Sequence, residues 1–94
     1  FTSIIGINLY RTIQEAVNNG IKYAEAKQIE VTILQQNNQI IIEIKDNGKG
    51  FDIETINFGN GLHNMKKRIE EIKGEILITS QIDKGTKVTL KINR

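Results

Sequence analysis

The chain has no cysteine, no proline and no tryptophan, and only one histidine. Without cysteine there is neither a disulfide framework nor a thiolate metal site. The missing proline excludes nothing about function. No apolar run approaches the roughly 20 residues of a membrane span, and no secretory signal is visible. A net charge of +2 over 94 residues is too weak for a nucleic-acid binder, which needs a concentrated basic face. It suits an anionic small ligand without requiring one. Otherwise the composition, 38% hydrophobic and 26% charged, is ordinary for a soluble globular protein. This length makes one small domain, residues 1–94, with a modest core. The chain opens mid-pattern at Phe1-Thr2-Ser3-Ile4-Ile5 with no initiator Met, as a domain excised from a larger chain would.

Asp46-Asn47-Gly48-Lys49-Gly50 stands out. It stops the apolar run Ile40 to Ile44 abruptly. Asp-Asn-Gly is strong turn chemistry, so a plain hairpin turn is one reading. The other is a ligand site, with Asp46 accepting from an amine or amide and Gly48 and Gly50 letting the backbone come close.

Taken in order, residues 1–7 read as a short strand and Asn8 as the N-cap of a helix from Leu9 to about Ala26. Leu9, Ile13, Val17, Ile21 and Ala24 form its apolar stripe. Glu15, Asn19 and Lys22 share a line opposite that stripe, Asn19 about 40° to one side of Glu15 and Lys22 about 20° to the other. They could be a solvated face. An acid, an amide and an amine are also a sensible set for a metal-phosphate group, because Asn offers Mg²⁺ a hard oxygen and Lys offers phosphate a charge. Gly20 costs this helix about 1 kcal/mol against Ala, and close packing on a neighbour is a possible reason.

Lys27 to Gln35 alternates as a half-buried strand with Ile29, Val31 and Ile33 on one face. Asn37-Asn38 marks a turn into a second strand, Gln39 to Lys45. Asp46 shares parity with Ile40, Ile42 and Ile44, so its carboxylate points to the core side, where a charge is costly unless satisfied. That parity favours the ligand reading over the plain turn.

Residues 51–58 have no clear period and read as a loop. Gly59-Asn60-Gly61-Leu62 then opens a helix with Leu62, Met65, Ile69 and Ile72 at helical spacing. Free N–H groups at such a helix start favour anions, though a glycine pair alone is a weak signal. Gly74 reads as the C′ residue. Glu75 to Ile82 is a strand, Asp83-Lys84-Gly85 a tight turn, and Thr86 to Asn93 the last strand of a second hairpin.

Glu-x-x-x-Asn-x-x-Lys on a helix, Asp-x-Gly-x-Gly after a strand pair, Gly-x-Gly-Leu opening a helix and Gly-Thr in a hairpin are each weak alone. In this order they resemble the ATP-binding catalytic domain of sensor histidine kinases, of the GHKL superfamily shared with gyrase and heat-shock ATPases. The resemblance runs from about Asn8 to Asn93. The short span between Gly50 and Gly59, and residues 9–19, look like the short-lid subtype.

The resemblance implies an α+β, two-layer α/β sandwich (the Bergerat fold), with a mixed, mostly antiparallel sheet and helices on one face. It implies ATP and Mg²⁺ as cofactors. Glu15, Asn19, Lys22 and Tyr23 match the N box: Asn19 would hold Mg²⁺, Lys22 would lie near phosphate, and Glu15 would order the metal site or its water. Asp46, Gly48 and Gly50 match the G1 box, with Asp46 accepting from the adenine amino group. Gly59, Gly61 and Leu62 match the G2 box over the phosphates. Gly85 and Thr86 match the last box, with Thr86 helping Asp46 through water. Position 23 is Tyr where many members carry His, and no separate Phe-rich box lies between Asp46 and Gly59.

The implied activity is that of a bacterial two-component histidine kinase, a transferase whose ATP-binding half alone is present. It would present the γ-phosphate to a histidine on a dimerisation domain elsewhere in the chain, with a response regulator downstream and no nucleic-acid partner. The domain would be cytoplasmic, joined to membrane only through other parts of a sensor. His63 sits in the glycine-loop helix and is not read as the phosphoacceptor. Two alternatives stay open: a serine kinase of the anti-sigma-factor type, and a non-catalytic remnant that binds protein.

Overall fold

The computed structural model describes residues 3–22, 25–50 and 61–93. The elements are α1 (Ser3–Lys22), β1 (Ile29–Gln36), β2 (Gln39–Asp46), α2 (Gly61–Glu71), β3 (Glu75–Gln81) and β4 (Gly85–Asn93). The strands form one sheet in the order β1-β2-β4-β3, and every described pairing is antiparallel. β4 therefore separates β2 from β3, which run the same way.

Period-2 patterning decides which face is covered. Ile44, Val88 and Ile78 form one row across the sheet, and Ile42, Leu90 and Ile76 the next. These rows meet Leu9 and Ala16 of α1 and Met65 and Ile69 of α2 in a single core. Both helices thus cover the same face, giving the expected two-layer α+β sandwich. No described helix is long and apolar enough to cross a membrane.

Three expectations need correction. Residues 3–7 are helical, so α1 begins at Ser3 and Asn8 is not its N-cap. The isoleucines there suggested a strand, but helical spacing puts Ile5 against the core. Asn8 instead donates its side-chain amide to the Arg68 carbonyl at 3.0 Å, tying α1 to the last turn of α2. At its other end α1 is described to Lys22, and Ala26, where the expected helix would end, is not helical. Glu25 has φ 52°, and the Ala26 N–H turns back to the Gly20 carbonyl at 2.9 Å.

Second, β1 is an edge strand, and its expected half-buried face is largely open, with Val31 46% and Ile33 64% exposed. The pattern was right about which residues share a face, but the helices sit over the central strands.

Third, Gly74 is not the left-handed C′ residue. That position is Lys73, with φ 59°. The Gly74 N–H bonds the Ile69 carbonyl at 2.9 Å and the Lys73 N–H bonds that of Glu70 at 3.0 Å, the two bonds of a Schellman motif. Gly74 is needed for space, since a Cβ there would stand 2.5 Å from Ile92 Cδ1 and 3.1 Å from the Lys91 carbonyl oxygen.

These contacts orient α2. Its C-terminus is held at the Ile92 end of β4, so its N-terminus at Gly61 points toward the end where β4 begins. We expect Leu90→Ala, at a fully buried position, to lower stability by about 2–5 kcal/mol. Ile33→Ala on the exposed edge should cost about 1 kcal/mol or less. Paired chemical denaturation curves check the contrast, and equal losses would contradict this assignment of the core.

Candidate functional site

The site grows from the end of β2. Asp46 has the parity of the buried Ile42 and Ile44 and is itself half-buried. Its neighbours in register are Ile29 on β1 and Thr86 on β4. Asp46 Oδ1 accepts the Gly48 N–H at 2.9 Å. The carboxylate is thereby held by its own turn, the local bond that Asp makes well. Across from it stands Gly20 of α1, where a Cβ would lie 3.3 Å from Asp46 Oδ2 and 3.2 Å from Ile29 Cδ1. The neighbour that Gly20 packs on is therefore Asp46, and the helix passes so close because position 20 has no side chain.

This contact locates the polar side chains of α1. The face against the sheet is marked by Leu9, Thr12, Ala16 and Gly20, all buried. Thr12 satisfies its hydroxyl on the Asn8 carbonyl at 2.8 Å. Ile21, counted above in the apolar stripe, is 58% exposed. The expected opposition of polar and apolar faces is thus corrected. Asn19 lies about 60° and Glu15 about 100° around the helix from Ala16, so they flank the buried face, and both are half-buried. This flank is the one carrying Asn8, which bonds α2. Asn19 directly precedes Gly20, the residue that packs on Asp46, at the end of the sheet toward which the α2 N-terminus points.

The turn after Asp46 is fastened on two sides. Asn47 Oδ1 accepts the N–H groups of Lys27 and Gln28, each at 2.9 Å, and the Asn47 N–H donates to the Gln28 carbonyl at 3.2 Å. In the sequence Asn47 is turn chemistry and no more; an Asn in a turn that accepts backbone N–H groups is a recognisable signal. On the other side, Gly50 has φ 64° and a Cβ would collide with the Gln81 carbonyl oxygen at 1.9 Å. Gly85 has φ 90° and a Cβ there would stand 2.1 Å from the Asp46 carbonyl oxygen. The Asp83 N–H also donates to the Lys49 carbonyl. The two glycines thus let the turn after β2 seat against the β3–β4 hairpin, which brings Thr86 beside Asp46. The Lys49–Glu25 ion pair at 3.1 Å is exposed on both sides and adds little.

Thr86 does not stand alone. Its hydroxyl lies 2.7 Å from that of Ser80 on β3, its partner in register. Ser80 shares parity with Ile76 and Ile78, so alternation could have flagged it as an inward polar group, as it flagged Asp46. A cavity of about 290 Å³ lies at these strand ends, lined by Asp46, Ser80 and Thr86 and also by Lys45, Thr79 and Lys87, which share the opposite face of the sheet.

Gly61 opens α2 as expected. Lys22 is described as the last residue of α1 and Leu62 as the second of α2, by backbone alone. Tyr23 and Gly59, with the 51–58 loop, lie outside the described residues. No group of three acidic or histidine side chains that could hold a metal occurs among the described residues. A hard cation here would depend on a few protein oxygens and on a ligand's own phosphates, the usual manner of Mg²⁺, and the amide of Asn19 carries an oxygen of that kind.

A held carboxylate and a hydroxyl row thus stand at the sheet end of a two-layer α+β domain, beside a helix bearing Asn and Glu. A family model described as histidine kinase-, DNA gyrase B- and HSP90-like ATPase matches residues 5–94, and the chain belongs to this family. Solved structures agree on the fold. The histidine kinase domain of a blue-light activated histidine kinase from Erythrobacter litoralis matches with a TM-score of 0.81 at 16% identity, over 96% of this chain and 45% of that one. The ATP-binding domain of PrrB from Mycobacterium tuberculosis matches at 0.78 and 18%, over 93% and 67%. The Acinetobacter baumannii histidine kinase AdeS matches at 0.70 and 26%, over 88% and 46%. The chain thus spans less than half of the first and third.

Gly20→Ala separates packing from binding. Ala favours the helix by about 1 kcal/mol, but its methyl group must displace Ile29 or the Asp46 carboxylate. We expect a melting temperature changed little and nucleotide affinity lowered several-fold, measured by thermal denaturation and titration calorimetry. Unchanged affinity would mean that Ile29 alone gives way.

Proposed function

We propose that this domain binds Mg-ATP and presents the γ-phosphate to a histidine on a separate dimerisation domain, as the catalytic half of a two-component histidine kinase. The observation that carries the reading is the held Asp46 carboxylate, half-buried between Gly20 and Thr86 at the end of the core-facing rows. Such a group needs a partner of donor character, and the adenine amino group provides one. Family membership and the histidine-kinase fold support it.

The residues divide the work. Asp46 takes the adenine amino group, and Thr86 assists through water. Gly48 holds the Asp46 carboxylate by its N–H, and Gly50 and Gly85 bring turn and hairpin together. Asn19 offers its side-chain oxygen to Mg²⁺, Glu15 orders the water around that ion, and Lys22 supplies positive charge near phosphate. Gly59, Gly61 and Leu62 border the phosphates, where free N–H groups at the start of α2 favour negative charge, and Tyr23 belongs with Glu15, Asn19 and Lys22 by the family resemblance. When bound, Mg²⁺ supplies charge neutralisation on the phosphates. Phosphoryl transfer otherwise asks mainly for positioning. The acceptor histidine, the response regulator downstream and a cytoplasmic setting complete the proposal.

Titration calorimetry with Mg-ATP tests it. The chain should bind, and Asp46→Asn should weaken binding by about 10- to 100-fold, corresponding to loss of a hydrogen bond to a charged group. Asn19→Ala should reduce the gain in affinity that Mg²⁺ gives. Failure of the unsubstituted chain to bind Mg-ATP, or equal binding by Asp46→Asn, would overturn the reading.

A further inference from the structure

Asn47 is exposed and is followed by a glycine, and the reacting groups of that pair are engaged by the fold. Asparagine is a thermolabile residue. Its amide is lost when the nitrogen of the following residue closes on its side-chain carbon. Glycine in the following place has no Cβ to obstruct the closure. The chain has three Asn-Gly steps, at 19–20, 47–48 and 60–61. Asn60 lies outside the described residues. Asn19-Gly20 lies inside α1, where helical bonding holds the peptide. Asn47-Gly48 lies in the turn after β2, outside any helix or strand.

Two sets of contacts there match what this closure needs. The Gly48 N–H, whose nitrogen is the nucleophile, donates to Asp46 Oδ1 at 2.9 Å. A base must stand within hydrogen-bond reach of the proton that it takes, and Asp46 does. Asn47 Oδ1 becomes negative as Cγ is attacked. It accepts the N–H groups of Lys27 and Gln28, each at 2.9 Å. Paired backbone donors at about 2.7–3.1 Å make an oxyanion hole. The Asn47 N–H donates to the Gln28 carbonyl at 3.2 Å, which fixes the residue on the segment carrying those donors.

From this arrangement we infer that Asn47 is a self-modification site, at which the folded chain converts its own side-chain amide into an imide. Asp46 takes the Gly48 proton as the Gly48 nitrogen bonds to Asn47 Cγ. The charge on the oxygen rests against the Lys27 and Gln28 N–H groups. The bond from Cγ to the side-chain nitrogen then breaks, Asp46 gives the proton to that nitrogen, and ammonia leaves. Water opens the cyclic imide. Opening at Cγ yields aspartate, and opening at the backbone carbonyl yields isoaspartate. The balance is asparagine and water in, an acid and ammonia out. In isoaspartate the backbone runs through Cβ and Cγ and is one atom longer, so the Gly48 N–H leaves its place on Asp46. The turn that holds the carboxylate therefore carries the means of its own release.

The inference does not depend on the nucleotide reading. Its test is incubation of the chain folded and, in parallel, unfolded in urea at the same pH and temperature. Peptide mass spectrometry follows imide and isoaspartate at positions 19 and 47. A positioned base contributes about 100-fold or more, so Asn47 should react at least about tenfold faster folded than unfolded. Asn19 should react more slowly folded than unfolded. Asp46→Asn keeps the shape of the side chain and an oxygen for the Gly48 N–H but is not a base. It should lower the folded rate at Asn47 to that of the unfolded chain.

An equal or slower rate at Asn47 in the folded chain overturns the inference. An equal acceleration at Asn19, or an unchanged folded rate in Asp46→Asn, overturns it as well. If Asp46→Asn does not fold, the two rates of the unsubstituted chain decide alone.

Discussion

A carboxylate on the inward side of a core strand is costly to keep there, and the architecture around Asp46 follows from that constraint. Ile42 and Ile44 of the same strand are buried under the helices, and the next inward position carries a charge. Burial of an unsatisfied charge would be prohibitive. The group is accommodated because the row ends there: one oxygen takes the Gly48 N–H, the helix above has no side chain at Gly20, and the carboxylate stays half-exposed at the end of the strand. Removing a methyl group at position 20 and supplying one N–H at position 48 are small local measures. Together they let a hydrophobic row finish in a group able to bind.

The same constraint accounts for the glycines at 50 and 85. Both have left-handed backbones, and at each a Cβ would strike a carbonyl oxygen of the opposing segment. Their shared effect is to press the turn after β2 onto the β3–β4 hairpin, so that Asp46, Thr86 and Ser80 become neighbours. Asn47 secures the other flank to the residues entering β1. Asp46 is thus surrounded by backbone-to-backbone contacts whose geometry a side chain at either glycine would spoil.

Much of this was legible in the chain because strand periodicity is two. Parity alone put Asp46 inward, and it would have put Ser80 inward as well had the third strand been read for polar residues. Helical periodicity was less informative in α1. Weighting by hydrophobicity chose Ile21 as core, whereas Thr12, Ala16 and Gly20, small enough for close approach, mark the packed face. The β-branched residues at 4, 5 and 7 read as a strand because their local preference competes with a helix whose packing supplies the deciding energy. Exposure of Val31 and Ile33 depends on β1 lying at the edge of the sheet, a property of strand order that no local pattern carries. The bond between Ser80 and Thr86 likewise depends on register between strands.

The pairing of β2 with β4 joins segments far apart in the chain, with α2 and β3 intervening. Contacts of this kind form late in folding, because loop-closure entropy must be overcome before they are rewarded. Asp46 and Thr86 meet only through this pairing, so a partly folded chain has no site. Any ligand that engages both therefore recognises the fully assembled sheet. By mass action it stabilises the whole domain and not one corner of it, which links occupancy to the lifetime of the folded chain.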